Sequence, residues 1–267
     1  MHSKKVRFLT IFASLACLLW LFGLGWTLKD YLIGKPSSAS ISPSTDEPVE
    51  TTEETSVLKI VALGDSLTRG TGDIEGKGYV GYVSDRLKAA GKDISLINLG
   101  IKGLTAPLLA DQMKEKEVGR QLGQADVIMM TIGGNDLFLG GQTLSDVSEA
   151  SIRALEDRYL LNLQEILSGI RAVNTEATVY LLGLYNPFSE FENGEQLSEV
   201  VRGWNYKAAE LLAKDAKTVY VPTYDLFQQN VNELLFTDHF HPNEKGYSRM
   251  AERVAALITG AEQGGQP

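Results

Sequence analysis

The sequence predicts an α/β domain built on a parallel sheet with helices packed on both faces. Three observations predict it. Short runs rich in β-branched residues recur from Val57 onward, each followed by a longer stretch with helical spacing. These runs are largely apolar rather than alternating, as in strands buried on both faces. Polar clusters follow several of the runs, at what would be the carboxyl edge of the sheet, where open α/β sheets bind their ligands.

Composition sets the frame for these elements. The chain has 267 residues, 43% hydrophobic and 22% charged, which suits one folded domain with appendages. A formal charge of −9 argues against nucleic acid as a partner, because phosphate binding needs a basic face. Cys17 is the only cysteine, so no intrachain disulfide can form.

Residues 1–7 form a basic tail with Lys4, Lys5 and Arg7, and an uncharged, mostly apolar run follows from Phe8 to Leu28. As a helix that run would span roughly 31 Å, about one hydrocarbon core, so a transmembrane anchor is expected over 8–28. A cleaved signal peptide would have a shorter apolar region and a small-residue cleavage site. Ser14-Leu15-Ala16-Cys17 matches a lipoprotein signal only loosely, since Ser14 fits poorly and the apolar run continues past Cys17. Basic residues ahead of the helix place the remainder outside the cytoplasm, giving a single-pass protein of the cell membrane with an extracytoplasmic domain. Residues 29–56 follow, and from Gly34 to Ser56 they are mostly Ser, Thr, Pro, Asp and Glu with few large apolar residues. They cannot bury enough surface to offset their ordering entropy and read as a disordered linker.

The folded domain is expected over 57–260. A strand at Val57–Leu63 ends in Gly64-Asp65-Ser66-Leu67, and a helix follows at Val80–Ala90. A second strand, Ile94–Leu99, runs into Asn98-Leu99-Gly100-Ile101-Lys102-Gly103, ahead of a helix at Pro107–Glu117. The third, Val127–Ile132, ends in Gly133-Gly134-Asn135-Asp136. Leu137–Ser148 contains Gly140-Gly141 and is a candidate lid. A helix at Ser148–Val173, a strand at Thr178–Gly183 and a helix at Glu195–Ala216 come next. Trp204 and Tyr206 are expected on the sheet-facing side of that last helix. A fifth strand is expected at Thr218–Val221. Asp238-His239-Phe240-His241-Pro242 precedes a helix at Glu244–Thr259, whose start is marked by Pro242 and Glu244. Residues 261–267 read as a tail.

The clusters contain what acyl transfer requires. A serine hydroxyl is a weak nucleophile and needs a neighbouring base. His241 can take the proton, since imidazole titrates near neutrality. Asp238, three residues earlier, can hold the imidazole tautomer and stabilise the imidazolium. The Ser66 N–H, a glycine N–H and the Asn135 amide could serve the oxyanion. Asp65 is expected to order the turn around Ser66, Asp136 to bond locally, and His239 to be solvated.

Gly-Asp-Ser-Leu after the first strand, Gly-Gly-Asn-Asp later and Asp-x-x-His-Pro near the end resemble the GDSL esterase/lipase family, also called SGNH hydrolases. The resemblance covers the whole predicted domain. It implies a three-layer α/β/α fold like that of flavodoxin, with a five-stranded parallel sheet. It implies hydrolysis of esters or thioesters without metal or cofactor, through Ser66, His241 and Asp238. The family's oxyanion donors fall on Ser66, Asn135 and a glycine. Gly100 and Gly103 both sit in the right loop, and the family spacing from Asn98 favours Gly103. Acyl length, the alcohol released and the oligomeric state are not implied.

The rival class is a metallophosphoesterase recruiting Asp65, Asn135, Asp238, His239 and His241. With three histidines in the chain, one of them His2 in the basic tail, a two-metal site would be hard to build. Gly76-Lys77-Gly78 lacks the Ser/Thr of a phosphate-binding loop, and no Gly-x-Ser-x-Gly surrounds Ser66.

Overall fold

The computed structural model describes residues 57–144 and 146–264. Five strands form the sheet: β1 (Leu58–Gly64), β2 (Ile94–Asn98), β3 (Val127–Thr131), β4 (Thr178–Leu182) and β5 (Thr218–Val221). All neighbouring pairs are parallel, in the order β2-β1-β3-β4-β5. Each strand ends within one residue of its expected position. The helices are α1 (Ser66–Arg69), α2 (Gly78–Ala89), α3 (Ala106–Gln112), α4 (Lys116–Leu122), α5 (Gly134–Phe138), α6 (Glu149–Val173), α7 (Gly194–Leu212), α8 (Tyr224–Gln228), α9 (Val231–Leu234) and α10 (Glu244–Gly264). A short 3-10 segment, Leu139–Leu144, follows α5.

Strand alternation divides the interior into two cores. Val61, Leu63, Ile128, Met130, Val179 and Leu181 face one side, among apolar residues of α3, α4, α6 and α7. Ile60, Ala62, Val127, Met129, Tyr180 and Leu182 face the other, among those of α2 and α10. Successive residues of a strand point to opposite faces, so an apolar run of this kind needs cover on both sides. That is the physical basis of the three layers.

Chain order also sets where a site can form. The chain runs from β1 outward to β2, then returns past β1 to β3. Such a reversal opens a crevice outside the carboxyl ends of β1 and β3. Register puts Gly64 opposite Thr131 and Thr131 opposite Leu182. The turns after β1, β3 and β4 therefore leave the sheet side by side.

Three expectations change. The helix expected at Pro107–Glu117 is two shorter ones. Gln112 is buried and donates to Leu99 O at 3.2 Å, and the chain turns before Val118 and Leu122 reach the core. Trp204 is buried as expected, but Tyr206 is exposed. The C-terminal helix continues to Gly264, past the expected start of a tail at 261.

The expected membrane anchor is corrected. Among the described residues no helix is long and apolar enough to cross a membrane. The 25 residues of α6 would reach about 37 Å, but Arg153, Asp157, Arg158 and Glu165 lie along it, and such charges are costly in hydrocarbon. The segment Phe8–Leu28, with the basic tail 1–7, the linker 29–56 and Cys17, lies outside the described residues. Membrane partnership, single-pass topology and extracytoplasmic placement are withdrawn with the anchor.

Candidate active site

The turn after β1 is built around a glycine and a buried acid. Gly64 has φ +123, and a Cβ there would lie 1.9 Å from Thr131 O, so no other residue lets β1 and β3 approach this closely. Asp65 caps α1 by accepting the Leu67 N–H at 3.0 Å and is paired with Thr131 Oγ1 at 2.7 Å. The helix begins at Ser66, so the Ser66 N–H is one of the first-turn donors without an intrahelical acceptor. Asp65 is 3% exposed, and burial raises its carboxyl from 3.8 to about 6 against the hydrogen bonds from Thr131 and Leu67.

The turn before α10 brings the base. His241 Nε2 lies 2.8 Å from Ser66 Oγ, and its Nδ1 lies 2.6 Å from Asp238 Oδ2. Asp238 also accepts the backbone N–H groups of Phe240 and His241, each at 3.0 Å. Partial burial works to raise the Asp238 carboxyl, but the His241 ring and these two N–H groups hold it below its usual range. The turn is anchored from outside by Tyr185, whose hydroxyl donates to Phe240 O at 2.6 Å and whose ring stacks on Phe227. Gly72 supports it from below, since a Cβ there would lie 2.9 Å from the Cβ of His241.

The turn after β3 carries Asn135, which lines the same small pocket as Ser66. Asn135 Nδ2 donates to Leu104 O at 2.8 Å, and both carboxylate oxygens of Asp136 accept the Ala106 N–H at 3.0 Å. Two bonds thus tie α5 to the loop that holds Gly103. The Gly100 N–H is taken by Asn98 Oδ1 at 2.9 Å. Gly103, exposed and at φ +75, has no acceptor for its N–H among the described residues. Burial raises the Asp136 carboxyl despite the Ala106 N–H.

His239 is exposed and stands in the left-handed region at φ 54. Its ring makes no contact with Ser66. Among the described residues, no group of three or more His, Cys, Asp or Glu side chains is placed to hold a metal ion. Asp65 and Asp238 are engaged within the protein instead. Of the segment expected as a lid, Leu137, Phe138 and Thr143 are buried, and Thr143 Oγ1 donates to Leu137 O.

Sequence reasoning missed Thr131, the anchoring bond of Tyr185, and the phenylalanines of the pocket. Thr131 had a signal: it is the polar residue that ends an otherwise apolar strand. Tyr185-Asn186-Pro187, directly after the fourth strand, reads from the sequence either as cleft lining or as a plain turn, and Tyr185 and Pro187 do line the pocket. Phe138 and Phe240 had no such signal, because they are far apart in the chain.

Comparisons with known proteins bear on the family and the fold. A model of the GDSL-like Lipase/Acylhydrolase family matches residues 62–249. The uncharacterized protein YpmR of Bacillus subtilis is 35% identical over 207 residues, covering 75% of this chain and 81% of that one. The spore germination lipase LipC of Bacillus licheniformis is 29% identical over 214 residues, covering 78% and 99%. Among solved structures, the lipase Lip_vut3 from a goat rumen metagenome superposes with a TM-score of 0.68 at 28% identity, over 75% of this chain and 97% of that one.

Proposed function

The chain belongs to the GDSL-like lipase/acylhydrolase family and is a serine hydrolase acting on ester bonds; from this premise we propose that Ser66, His241 and Asp238 carry the reaction through an acyl-enzyme. The observation that carries the reading is the hydrogen-bonded line from Ser66 Oγ through the His241 ring to Asp238. His241 Nε2 takes the proton as Ser66 Oγ attacks the ester carbonyl. Asp238 keeps the other ring nitrogen protonated and balances the imidazolium. The tetrahedral oxyanion is held by the Ser66 N–H, the Gly103 N–H and Asn135 Nδ2. As the C–O bond to the alcohol breaks, His241 returns the proton to the leaving oxygen. Water then attacks the acyl-enzyme by the same steps and releases the acid and the free serine.

The substrate is a carboxylic ester with an apolar acyl part. The pocket beside Ser66 supports this, since Leu182, Leu184, Pro187, Phe138 and Phe240 line it. The names of the two lipases to which the chain is similar support it as well.

The test compares wild type with Ser66→Ala and His241→Ala on p-nitrophenyl acetate, together with mass mapping of a serine-directed phosphonate. Both variants should fold and lose turnover, and the label should sit on Ser66. Near-wild-type turnover by folded Ser66→Ala would refute the assignment.

A further inference from the structure

We infer that Phe138, Phe188 and Phe240 form an aromatic wall that limits acyl length and makes this a short-acyl esterase. The inference rests on the proposal that Ser66 is the nucleophile.

The pocket at Ser66 is apolar on its far side and narrow: the centre of a water-sized group can move through only about 20 Å³ of it. Phe138 and Phe240 line it directly. Phe188 packs behind both, so the three rings close on one another. Phe138 meets Phe188 at 5.3 Å and 75°, and Phe240 at 5.9 Å and 87°. Phe188 meets Phe240 at 5.9 Å and 42°. Edge-to-face contacts of this kind are favourable beyond the area they bury, so the wall holds its shape without substrate.

Each ring comes from a segment that also carries a group of the site. Phe138 ends α5, three residues after Asn135, and Phe240 directly precedes His241. Phe188 follows Pro187, another lining residue. The backbone just beyond Phe138 is constrained: Leu139 has φ 47, a conformation a leucine keeps only where its surroundings impose it. Outside the wall, Phe191 meets Phe188 at 5.5 Å and is 55% exposed. Phe188 is itself only partly buried, so solvent reaches the outer ring of the wall. Removing Phe188 would extend the pocket toward the surface, and removing Phe138 would enlarge it directly beside Ser66.

The narrow space favours the smallest acyl groups, such as acetyl, and an octanoyl chain must displace at least one ring. In apolar pockets, misfit by a single methylene already changes specificity by roughly 10-fold or more.

The test measures kcat/KM on p-nitrophenyl acetate, butyrate, octanoate and laurate for wild type, Phe138→Ala, Phe138→Leu and Phe188→Ala. Ser66→Ala is the control, and circular dichroism reports folding. Wild type should lose at least about 10-fold between butyrate and octanoate. The wall variants should raise the octanoate-to-acetate ratio by at least about 10-fold. If Phe138→Ala does not fold, Phe138→Leu and Phe188→Ala decide. A wild type that prefers octanoate, or folded variants that keep the wild-type ratio, would overturn the wall. Turnover surviving in folded Ser66→Ala would instead overturn the nucleophile on which it rests.

Discussion

Replacing Asp65 with asparagine isolates the energetic consequence of burying an acid next to the nucleophile. Asp65 is 3% exposed, and its carboxyl is raised from 3.8 to about 6. That is about 2 pKa units, or about 3 kcal/mol of preference for the neutral form in the folded state. The sign follows from linkage. A raised folded pKa means that the folded protein binds the proton more tightly than the unfolded chain. The associated stability is fully present below the unfolded value of 3.8 and is lost as pH rises through about 6.

Hydrogen-bond counting points the same way. With Asp65 ionised, Thr131 donates to it and Thr68 Oγ1 donates to Leu63 O at 2.7 Å. The 2.7 Å contact between Thr68 Oγ1 and Thr131 Oγ1 then has no proton. Protonated Asp65 can donate to Thr131, which frees the Thr131 proton for Thr68.

Asparagine removes the titration while keeping a donor and an acceptor. Asp136 and the buried tyrosines Tyr79, Tyr159, Tyr185 and Tyr247, which feel the charge on Asp65, are the same in both proteins. Urea unfolding of wild type and Asp65→Asn from about pH 4 to about pH 8 therefore reads this group together with its coupling to Asp136. Between those limits wild type should lose about 2 kcal/mol relative to the variant, since part of the effect already lies below pH 4. Parallel stability curves over the whole range would refute the reasoning.

Three further outcomes follow from the geometry. Asn135→Ala should lower kcat by about 10²-fold or more, measured at saturating acetate ester, while the fold is retained. Gly64→Ala should destabilise by about 3 kcal/mol or more, because its Cβ would lie 1.9 Å from Thr131 O at φ +123; thermal unfolding reads this directly. Asp136→Ala leaves the buried Ala106 N–H without its acceptor and should cost about 1–3 kcal/mol. It should also lower kcat more than it changes KM, because the Gly103 loop loses one of its two ties to α5; steady-state kinetics separate the two parameters.

The central strands β1, β3 and β4 were legible because they are covered on both faces, and such burial leaves a continuous apolar run that ends at a turn residue. Gly64 and Gly133 mark two of those ends. The polar groups were legible because turns leaving the carboxyl edge carry few apolar residues. The break between α3 and α4 was not, because it depends on Gln112 reaching Leu99 O across the loop. Nor did anything near Phe188 reveal that it packs on Phe138 and Phe240.

Local composition and periodicity determined the strand positions, the layered class and the residues able to do acyl chemistry. The tertiary structure alone decided which of them meet. Ser66 and His241 are 175 positions apart, and Asp65 and Thr131 are 66 apart. Periodicity records which way a side chain points from its own strand or helix. Distances between side chains depend on strand order and register, which arise only when both cores pack together.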